Sequence, residues 1–331
     1  MAIALNNSTL VTVFGGSGFV GRYVVQALAR RGCRVRVAVR RPHLAGHVLP
    51  LGNAGQIYPV QANLRDHASV RRAIEGADAV VNLVGILQPS GKQSFASVQA
   101  TGAGIIAQAV REARVGAFVQ MSAIGANRLS KSAYARTKAE GEDLIRKTCS
   151  NAVILRPSII FGPEDEFFNR FAAMAMFSPF MPLIGGGKTK FQPVYVGDVA
   201  EAIVAALDGR AKPSMTYELG GDRVYTFREL LDLTMQYSRR KRPYFPIPFW
   251  MAKIQGLSFE IASKMTLSLI APPLTVDQVR LLETDNVVSD EAKNEHRTLE
   301  ALGIERHGVE AIVPSYLVRF SPKGEYSTHH A

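Results

Sequence analysis

A glycine-rich segment near the beginning of the chain restricts the possible folds more than any other feature of the sequence. An apolar run from residue 9 to 14 precedes glycines at positions 15, 18 and 21, and a helical pattern of apolar residues follows. Gly15 would permit a tight turn, Gly18 a close approach of the backbone to a pyrophosphate, and Gly21 close packing of the helix on the strand. The helix N-terminus would then bind the anion. A glycine loop without a ligand is the alternative, but the order strand, loop, helix favours a dinucleotide site.

The end of the second predicted strand indicates which dinucleotide is bound. The run from 35 to 39 alternates as a strand does and ends at Arg40 and Arg41. At this position an acidic residue holds the ribose 2′-hydroxyl of NAD, whereas a basic residue accommodates the 2′-phosphate of NADP. Because guanidinium groups match phosphate geometry, the sequence predicts NADPH in preference to NADH. The alternative is that both arginines are only solvated at a strand end.

Further strand-like runs alternate with helical segments along the chain. They cover 57–60, 79–85, 117–122, 153–157 and 217–221. The continuous apolar run 79–85 is typical of a parallel strand that is covered on both faces. The pattern predicts an α/β fold, a Rossmann-type doubly wound parallel sheet with a smaller C-terminal lobe for a substrate or a partner. Residues 1–160, completed by about 190–220, would form the dinucleotide-binding domain, and 161–190 with 221–331 would form the lobe.

Three residues in the middle of the chain have the order of a reactive centre. Ser122 ends a predicted strand, and Tyr134 and Lys138 follow at i and i+4 on one face of a helix. With the G-x-x-G-x-x-G spacing, this order resembles the short-chain dehydrogenase/reductase superfamily. The resemblance implies that Tyr134 exchanges a proton with the substrate oxygen, and that Ser122 hydrogen-bonds the substrate or the phenol. It also implies that Lys138 holds the nicotinamide ribose and lowers the tyrosine pKa.

The same resemblance extends the set of candidate cofactor contacts. Asn63 and Leu64 would lie beside the adenine, where the family usually has an aspartate first, so the negative charge is missing here. Pro157 and Ile160 belong to a signature whose backbone lies near the nicotinamide, and Gly85 would permit close approach at the end of a strand. The full set of candidate cofactor contacts is Gly15, Ser17, Gly18, Phe19, Val20, Gly21, Arg40, Arg41, Asn63, Leu64, Val84, Gly85, Tyr134, Lys138, Pro157 and Ile160.

Two later segments have unusual compositions. A run rich in Met and Phe between 167 and 182 would form core, a pocket for an apolar substrate, or a surface for a partner or lipid. The segment Arg239–Met251 begins with four consecutive cations and continues with aromatic residues and prolines. This composition suits an anionic membrane interface or an acidic protein groove. The alternative is a solvated basic edge of the smaller lobe.

Charge and cysteine content restrict the classes of partner and site. Lys and Arg outnumber Asp and Glu by 39 to 28, and the resulting formal charge of +11 is compatible with an anionic ligand, a membrane surface, nucleic acid or an acidic partner. An ordinary basic surface is the alternative. Basic and aromatic residues do not interleave as in RNA-binding proteins, so nucleic acid is not expected. Cys33 and Cys149 lack metal-ligand spacing, so we expect no metal and a reducing compartment. The first strand begins too early for a targeting peptide and no apolar run spans a bilayer. We therefore expect a cytoplasmic protein, peripheral on the cytoplasmic face of a bacterial inner membrane.

The segments 161–171 and 239–251 narrow the resemblance to one branch of atypical short-chain dehydrogenase/reductases. That branch contains the nucleotide-binding accessory subunit of respiratory complex I and its bacterial relatives, and the resemblance covers about residues 9–235. It implies a tightly held NADPH, complex I subunits and the membrane surface as partners, and little turnover. The alternative is an active NADPH-dependent reductase or epimerase for an apolar or quinone-related substrate, because Ser122, Tyr134 and Lys138 are all present.

Overall fold

The structure, a computed structural model, describes residues 3–91, 93–265, 272–322 and 324. These residues group into two compact units. The first unit is formed by the chain up to Pro157 together with Val196–Leu219 and Ser289–Glu305. The second is formed by Ser158–Tyr195, Gly220–Val288 and the chain from Arg306 onward.

The elements follow the strand and helix order that the sequence predicts. The strands are β1 (Leu10–Phe14), β2 (Arg34–Val39), β3 (Ile57–Gln61), β4 (Ala79–Asn82), β5 (Ala117–Met121), β6 (Val153–Pro157), β7 (Ile160–Phe161), β8 (Met181–Ile184), β9 (Lys190–Phe191), β10 (Val194–Tyr195), β11 (Thr216–Leu219), β12 (Tyr225–Thr226) and β13 (Tyr244–Ile247). The helices are α1 (Phe19–Arg30), α2 (His67–Ile74), α3 (Thr101–Glu112), α4 (Ala133–Thr148), α5 (Phe168–Phe177), α6 (Val196–Leu207), α7 (Phe227–Tyr237), α8 (Phe249–Met265), α9 (Val276–Leu281), α10 (Asp290–Asn294) and α11 (Val309–Leu317).

The first unit is built on a seven-stranded parallel sheet with the order β11-β6-β5-β4-β1-β2-β3. Val13 in β1 lies opposite Val37 on one side and Val81 on the other, and all three side chains are fully buried. Such apolar central strands require cover on both faces. The strand order reverses at β1 and β4, the place where doubly wound sheets bind ligands beyond the carboxyl ends of their strands. The predicted Rossmann-type fold is confirmed.

An edge of this sheet is covered by a segment that lies far away in the sequence. The amide of Glu218 in β11 donates to the carbonyl of Arg297 at 2.9 Å, and the Arg297 guanidinium donates to the carbonyl of Thr216 at 2.9 Å. An edge strand has unpaired backbone groups that need such partners. Ser289–Glu305 therefore groups with the first unit, although the sequence analysis assigned it to the smaller lobe. The assignment of a separate function to each unit stays a prediction.

The second unit has an aromatic core formed by α5, α7 and α11 with short strand pairs. Phe168 and Met181 from the segment rich in Met and Phe are buried in that core, whereas Phe177 and Phe180 are exposed. The segment thus contributes both to the core and to a surface. α7 begins with a capping box, because Thr226 and Glu229 bond reciprocally to each other's backbone amides. Among the described residues, no helix combines the length and apolar character needed to cross a membrane.

Candidate functional site

The glycine loop joins β1 to α1 at the carboxyl edge of the sheet. Gly15 has a φ of +77°, a left-handed conformation that favours glycine, and its amide donates to the carbonyl of Ala38 at 3.1 Å. The amide of Gly18 then donates to the carbonyl of Gly15 at 3.0 Å. A side chain at Gly21 would overlap that carbonyl and lie 2.6 Å from the carbonyl carbon of Gly16. The three glycines therefore have the turn and close-packing roles that their spacing predicts.

The N-terminus of α1 carries the positive end of the helix dipole, and no carboxylate in its first turn competes with a bound anion. The helix begins at Phe19, its N-cap Gly18 makes no side-chain bond, and no acidic residue lies in the first turn. A helix N-terminus in this condition favours a bound anion through its amides and its dipole. Ser17, Phe19 and Val20 complete the loop and the start of the helix, half-buried at its rim. The loop fits a pyrophosphate.

Two cations lie at the end of the neighbouring strand. β2 ends at Val39, and the carbonyl of the preceding residue, Ala38, accepts a bond from the glycine loop. The backbone of Arg40 and Arg41 therefore follows the strand close to that loop. Both side chains are exposed, and neither guanidinium donates a hydrogen bond within the part of the chain that the structure describes. They therefore offer their donors to a ligand. This arrangement fits a phosphate group, and their role toward a 2′-phosphate stays a prediction.

The predicted adenine contacts are partly occupied by local structure. The side-chain oxygen of Asn63 accepts from the amide of Arg65 at 3.1 Å, and the Asn63 amide donates to the hydroxyl of Ser69 at 2.9 Å. Leu64 is buried in the core of the first unit and packs against Gly102. The side-chain NH₂ of Asn63 and one lone pair of its side-chain oxygen are thus left for a base. The adenine assignment of both residues stays a prediction.

The ends of β4 and β6 supply the next group of candidate contacts. Val84 lies against Gly15, and its amide donates to the side chain of Asn82 at 3.1 Å. A Cβ built on Gly85 would lie 3.4 Å from Nζ of Lys138, so the structure brings these two candidates together. Pro157 is buried and ends β6. The remaining candidate, Ile160, lies in β7 of the second unit, where it pairs with Val194.

Tyr134 and Lys138 lie on one face of α4, as their spacing predicts. Ser132 caps the helix by accepting a bond from the amide of Ala135 at 3.3 Å. The Tyr134 ring packs edge-to-face on Phe95 with 6.0 Å between the centroids. Nζ of Lys138 lies 5.8 Å from the centroid of the Tyr134 ring and donates to the carbonyl of Met121 at 3.2 Å. The helix therefore places the Lys138 ammonium beside Gly85 and over the Tyr134 ring.

Burial governs the titration of both groups. It raises the pKa of Tyr134 to about 12 and lowers the pKa of Lys138 to about 8, the latter against a smaller opposing effect of the Glu142 charge. Desolvation of the phenolate is the cause of the raised tyrosine pKa. The expected lowering of this pKa by Lys138 stays a prediction. Tyr134 is a protonated phenol at neutral pH.

Ser122 has a different partner from the one that the resemblance implies. Its hydroxyl is buried and donates to Oε1 of Glu142 at 2.6 Å. The expected contact between Ser122 and the phenol is absent, since the structure gives this hydroxyl no other partner in the described part of the chain. The physical reason is charge, because a buried carboxylate accepts a stronger bond than a neutral phenol does.

Glu142 is the site residue that the sequence analysis missed. Only 1% of its side chain is exposed, and it accepts two bonds from Arg156, at 2.8 and 2.7 Å, and one from Arg146 at 3.0 Å. The signal was its spacing, because Glu142 follows Lys138 by one further turn on the same helix face. Tyr134, Lys138 and Glu142 thus form a column at i, i+4 and i+8 that ends in a buried ion cluster with Ser122.

The described residues fit a dinucleotide better than a metal. The loop amides, the open helix end and the free guanidinium groups suit a pyrophosphate and a further phosphate, and a bound nicotinamide would supply hydride chemistry beside Tyr134. Within the described ranges, no three His, Cys, Asp or Glu side chains group as metal ligands do.

Cys33 and Cys149 are both buried thiols, and burial raises the pKa of each.

Comparison with known protein families and sequences identifies relatives of this chain. The model of the NAD dependent epimerase/dehydratase family matches residues 11–220. The chain is 34% identical over 320 residues to NADH dehydrogenase [ubiquinone] 1 alpha subcomplex subunit 9 of Arabidopsis thaliana, covering 95% of this chain and 79% of that protein. It is also 32% identical over 196 residues to the ceramide reductase of Caulobacter vibrioides, covering 59% of this chain and 60% of that enzyme.

The fold is also found among solved structures. The NADPH complex of an NADPH-dependent quinone oxidoreductase from Escherichia coli aligns with a TM-score of 0.69 at 18% identity, covering 93% of this chain and 99% of that one. At this identity the alignment supports the fold alone. The family match covers more than half of the chain and includes the glycine loop, Tyr134 and Lys138. The chain belongs to the NAD dependent epimerase/dehydratase family, as the resemblance to short-chain dehydrogenase/reductases predicts.

Proposed function

We propose that this protein is an NADPH-binding accessory or assembly subunit of respiratory complex I (NADH:ubiquinone oxidoreductase), in which the cofactor is mainly structural. The Arabidopsis relative carries the name of a complex I subunit and aligns over nearly the whole chain. A ligand that binds the folded state at a hundred times its dissociation constant stabilises it by about 2.7 kcal/mol, so a structural role for the cofactor is physically reasonable.

The observation that carries this proposal is the partner of Ser122. No carboxylate lies in the first turn of α1, where a pyrophosphate would bind, whereas the serine hydroxyl that would assist proton transfer is bonded to Glu142. The phenol of Tyr134 also has its pKa raised to about 12, far from the neutral range that suits a general acid or base. The site is therefore better prepared to hold a nucleotide than to turn it over.

The exposed pair Arg40 and Arg41 supports NADPH as the dinucleotide. Two guanidinium groups without protein partners among the described residues provide up to ten N–H donors for a 2′-phosphate. An adenosine 2′-hydroxyl would instead need a carboxylate at this strand end. We expect NADPH to bind more tightly than NADH, and titration of the two nucleotides tests this, with equal affinity as the contradicting result.

A genetic comparison separates binding from catalysis. In a strain that lacks this protein, we expect Tyr134→Phe to restore complex I, because the phenol is not needed to hold the nucleotide. The double variant Arg40→Asp with Arg41→Asp should fail, and Arg72→Asp, an exposed arginine on α2, is the matched charge control. The opposite result, with Tyr134→Phe inactive and the double variant active, would show that catalysis is the function.

We further propose that the second unit binds an anionic membrane surface through one face of α8. Trp250, Ile254, Leu257 and Ile261 follow one another at spacings of four, three and four residues, and each is between 51% and 62% exposed. This spacing places them on a single face of the helix. An exposed apolar stripe of this kind on a soluble protein is typical of an interaction surface.

Aromatic and cationic side chains from neighbouring segments support a bilayer as the occupant. Phe180 and Phe245 pack together with 5.6 Å between their ring centroids, and both are exposed. Of the four cations that begin the segment Arg239–Met251, Arg239 and Lys241 are exposed. Exposed apolar groups beside cations favour anionic lipid headgroups, with tryptophan at the interface. The localisation that follows is peripheral, on the cytoplasmic face of a bacterial inner membrane.

Vesicle sedimentation tests the membrane proposal. The full chain should sediment with vesicles of phosphatidylcholine and phosphatidylglycerol, and much less with phosphatidylcholine alone. Trp250→Ser with Ile254→Ser should abolish sedimentation, whereas Leu129→Ser, at an isolated leucine of the first unit that is 92% exposed, should not. Equal sedimentation of both variants, or none of the wild type, would contradict it.

A second candidate function is an NADPH-dependent reductase for an apolar or quinone-related substrate. The ammonium of Lys138 lies beside Gly85 and over the ring of Tyr134, so a proton donor and a cation are both available for such a reaction. The ceramide reductase of Caulobacter is a relative whose name indicates a lipid substrate. NADPH oxidation that depends on a quinone or a long-chain keto-lipid, and is lost in Tyr134→Phe, would favour this candidate over the accessory role.

A further inference from the structure

We infer that His47 is a third side chain of the site for the 2′-phosphate of NADPH, in addition to Arg40 and Arg41. This inference rests on the proposed NADPH binding and deepens it, because it names a residue that determines the choice between NADPH and NADH. Its basis is a contact between His47 and the glycine loop.

The segment after β2 returns over the glycine loop through two short 3-10 turns, Pro42–Leu44 and Gly46–Leu51. Ala45 and Val48 are buried and fix this segment to the first unit, while His47 between them is exposed. Nε2 of His47 lies 3.0 Å from the carbonyl oxygen of Ser17. The imidazole is thus held against the loop that would carry the pyrophosphate.

The geometry of that contact determines which ring nitrogen remains for a ligand. A carbonyl oxygen only accepts, so Nε2 carries the hydrogen and donates to Ser17. Nδ1 is then left for another group, and in an imidazolium it is a second donor. A phosphate oxygen beside an imidazolium ring would accept that hydrogen bond.

Arg40 and Arg41 belong to the same connection after β2 as His47. Arg40 lies two residues beyond Ala38, whose carbonyl accepts a bond from the amide of Gly15. From Arg40 to Gly52 the chain contains arginine and histidine but no aspartate or glutamate. The loop is therefore flanked by cationic or potentially cationic side chains, with no carboxylate in this segment to repel a phosphate or to bind a ribose 2′-hydroxyl.

A brace for the glycine loop is the competing role for His47, and the two roles predict different nucleotide dependence. A brace would support both nucleotides, since NADPH and NADH share the pyrophosphate. A 2′-phosphate contact would support NADPH and leave NADH unchanged. Loss of one charge-assisted hydrogen bond corresponds to a fall in affinity of about tenfold or more.

Calorimetric titration of the full chain distinguishes the two roles. The ligands are NADPH, NADH and 2′,5′-ADP, and the variants are His47→Gln, His47→Arg and, as the matched control, His43→Gln at an exposed histidine of the same segment. We expect His47→Gln to weaken NADPH and 2′,5′-ADP about tenfold with NADH unchanged, while His47→Arg retains the NADPH preference. His43→Gln should match the wild type, and melting temperatures verify folding.

The results that overturn the inference differ from those that overturn the proposed function. Equal weakening of NADPH and NADH in His47→Gln would identify a brace, and no weakening would exclude any role in binding. Either result, with a wild type that prefers NADPH, contradicts only the role of His47. A wild type that binds NADH as well as NADPH contradicts the proposed cofactor itself.

Discussion

Removal of the Glu142 carboxylate should destabilise the first unit strongly. This side chain is 1% exposed and accepts hydrogen bonds from Ser122, Arg146 and Arg156. In Glu142→Ala the half-buried guanidinium of Arg156 loses its closest countercharge, and Glu218, at 3.7 Å, is the one carboxylate left beside it among the described residues. Breaking one partner of a buried ion pair costs about 3–5 kcal/mol, and the remaining carboxylate places the expected loss near the lower end, about 3 kcal/mol.

The loss is measurable as a fall in melting temperature. At about 2–4 °C per kcal/mol for chains of this order of size, a loss of about 3 kcal/mol corresponds to about 6–12 °C, measured by circular dichroism without nucleotide. Glu142→Gln keeps part of the hydrogen bonding and should lose less. Asp143→Ala is the matched control, since the neighbouring carboxylate forms exposed ion pairs with Arg128 and Arg146 that contribute at most about 1 kcal/mol. Equal shifts for Glu142→Ala and Asp143→Ala would refute the reasoning.

Three further predictions test other parts of the account. Gly21→Ala should abolish nucleotide retention, because the new methyl group overlaps the Gly15 carbonyl, and a variant that still purifies with nucleotide would contradict the loop geometry. Burial lowers the pKa of Lys138 from 10.5 to about 8, so between these pH values the unfolded chain binds a proton that the folded chain does not. Stability of the wild type relative to Lys138→Met should therefore rise by up to about 3 kcal/mol as pH increases through this window, and a constant difference in urea midpoints would contradict it. Tyr316→Phe removes the 2.5 Å bond from the phenol to buried Asp165, which keeps three backbone donors, so we expect a loss of about 1.5 kcal/mol in the second unit, measured by hydrogen exchange.

The features that sequence could predict are those fixed by local spacing. The glycine turn, the capping box of Thr226 and Glu229, and the shared face of Tyr134 and Lys138 each depend on residues within a few positions. Backbone sterics and helix geometry decide such features before any tertiary contact forms. For this reason the fold class and the central strands were predictable.

The features that sequence could not predict depend on contacts between distant residues. Ser122 meets Glu142 across 20 positions, and the segment after β2 brings His47 to Ser17 across 30. The edge strand β11 is covered by Ser289–Glu305, which lies about 80 residues away in the sequence. The bond from Arg297 to the carbonyl of Thr216 is an example. Spacing along the chain carries no information on which of many polar groups such a residue will meet.

The nucleotide content of the protein purified from native membranes shows whether this chain holds NADPH within complex I. The chain, tagged in its own genome and extracted with a mild detergent, should elute together with complex I subunits and release about one NADPH per chain on denaturation, as expected for a ligand that stabilises the folded state. A chain that elutes without complex I subunits, or that carries no nucleotide in the complex I fraction, would contradict the account.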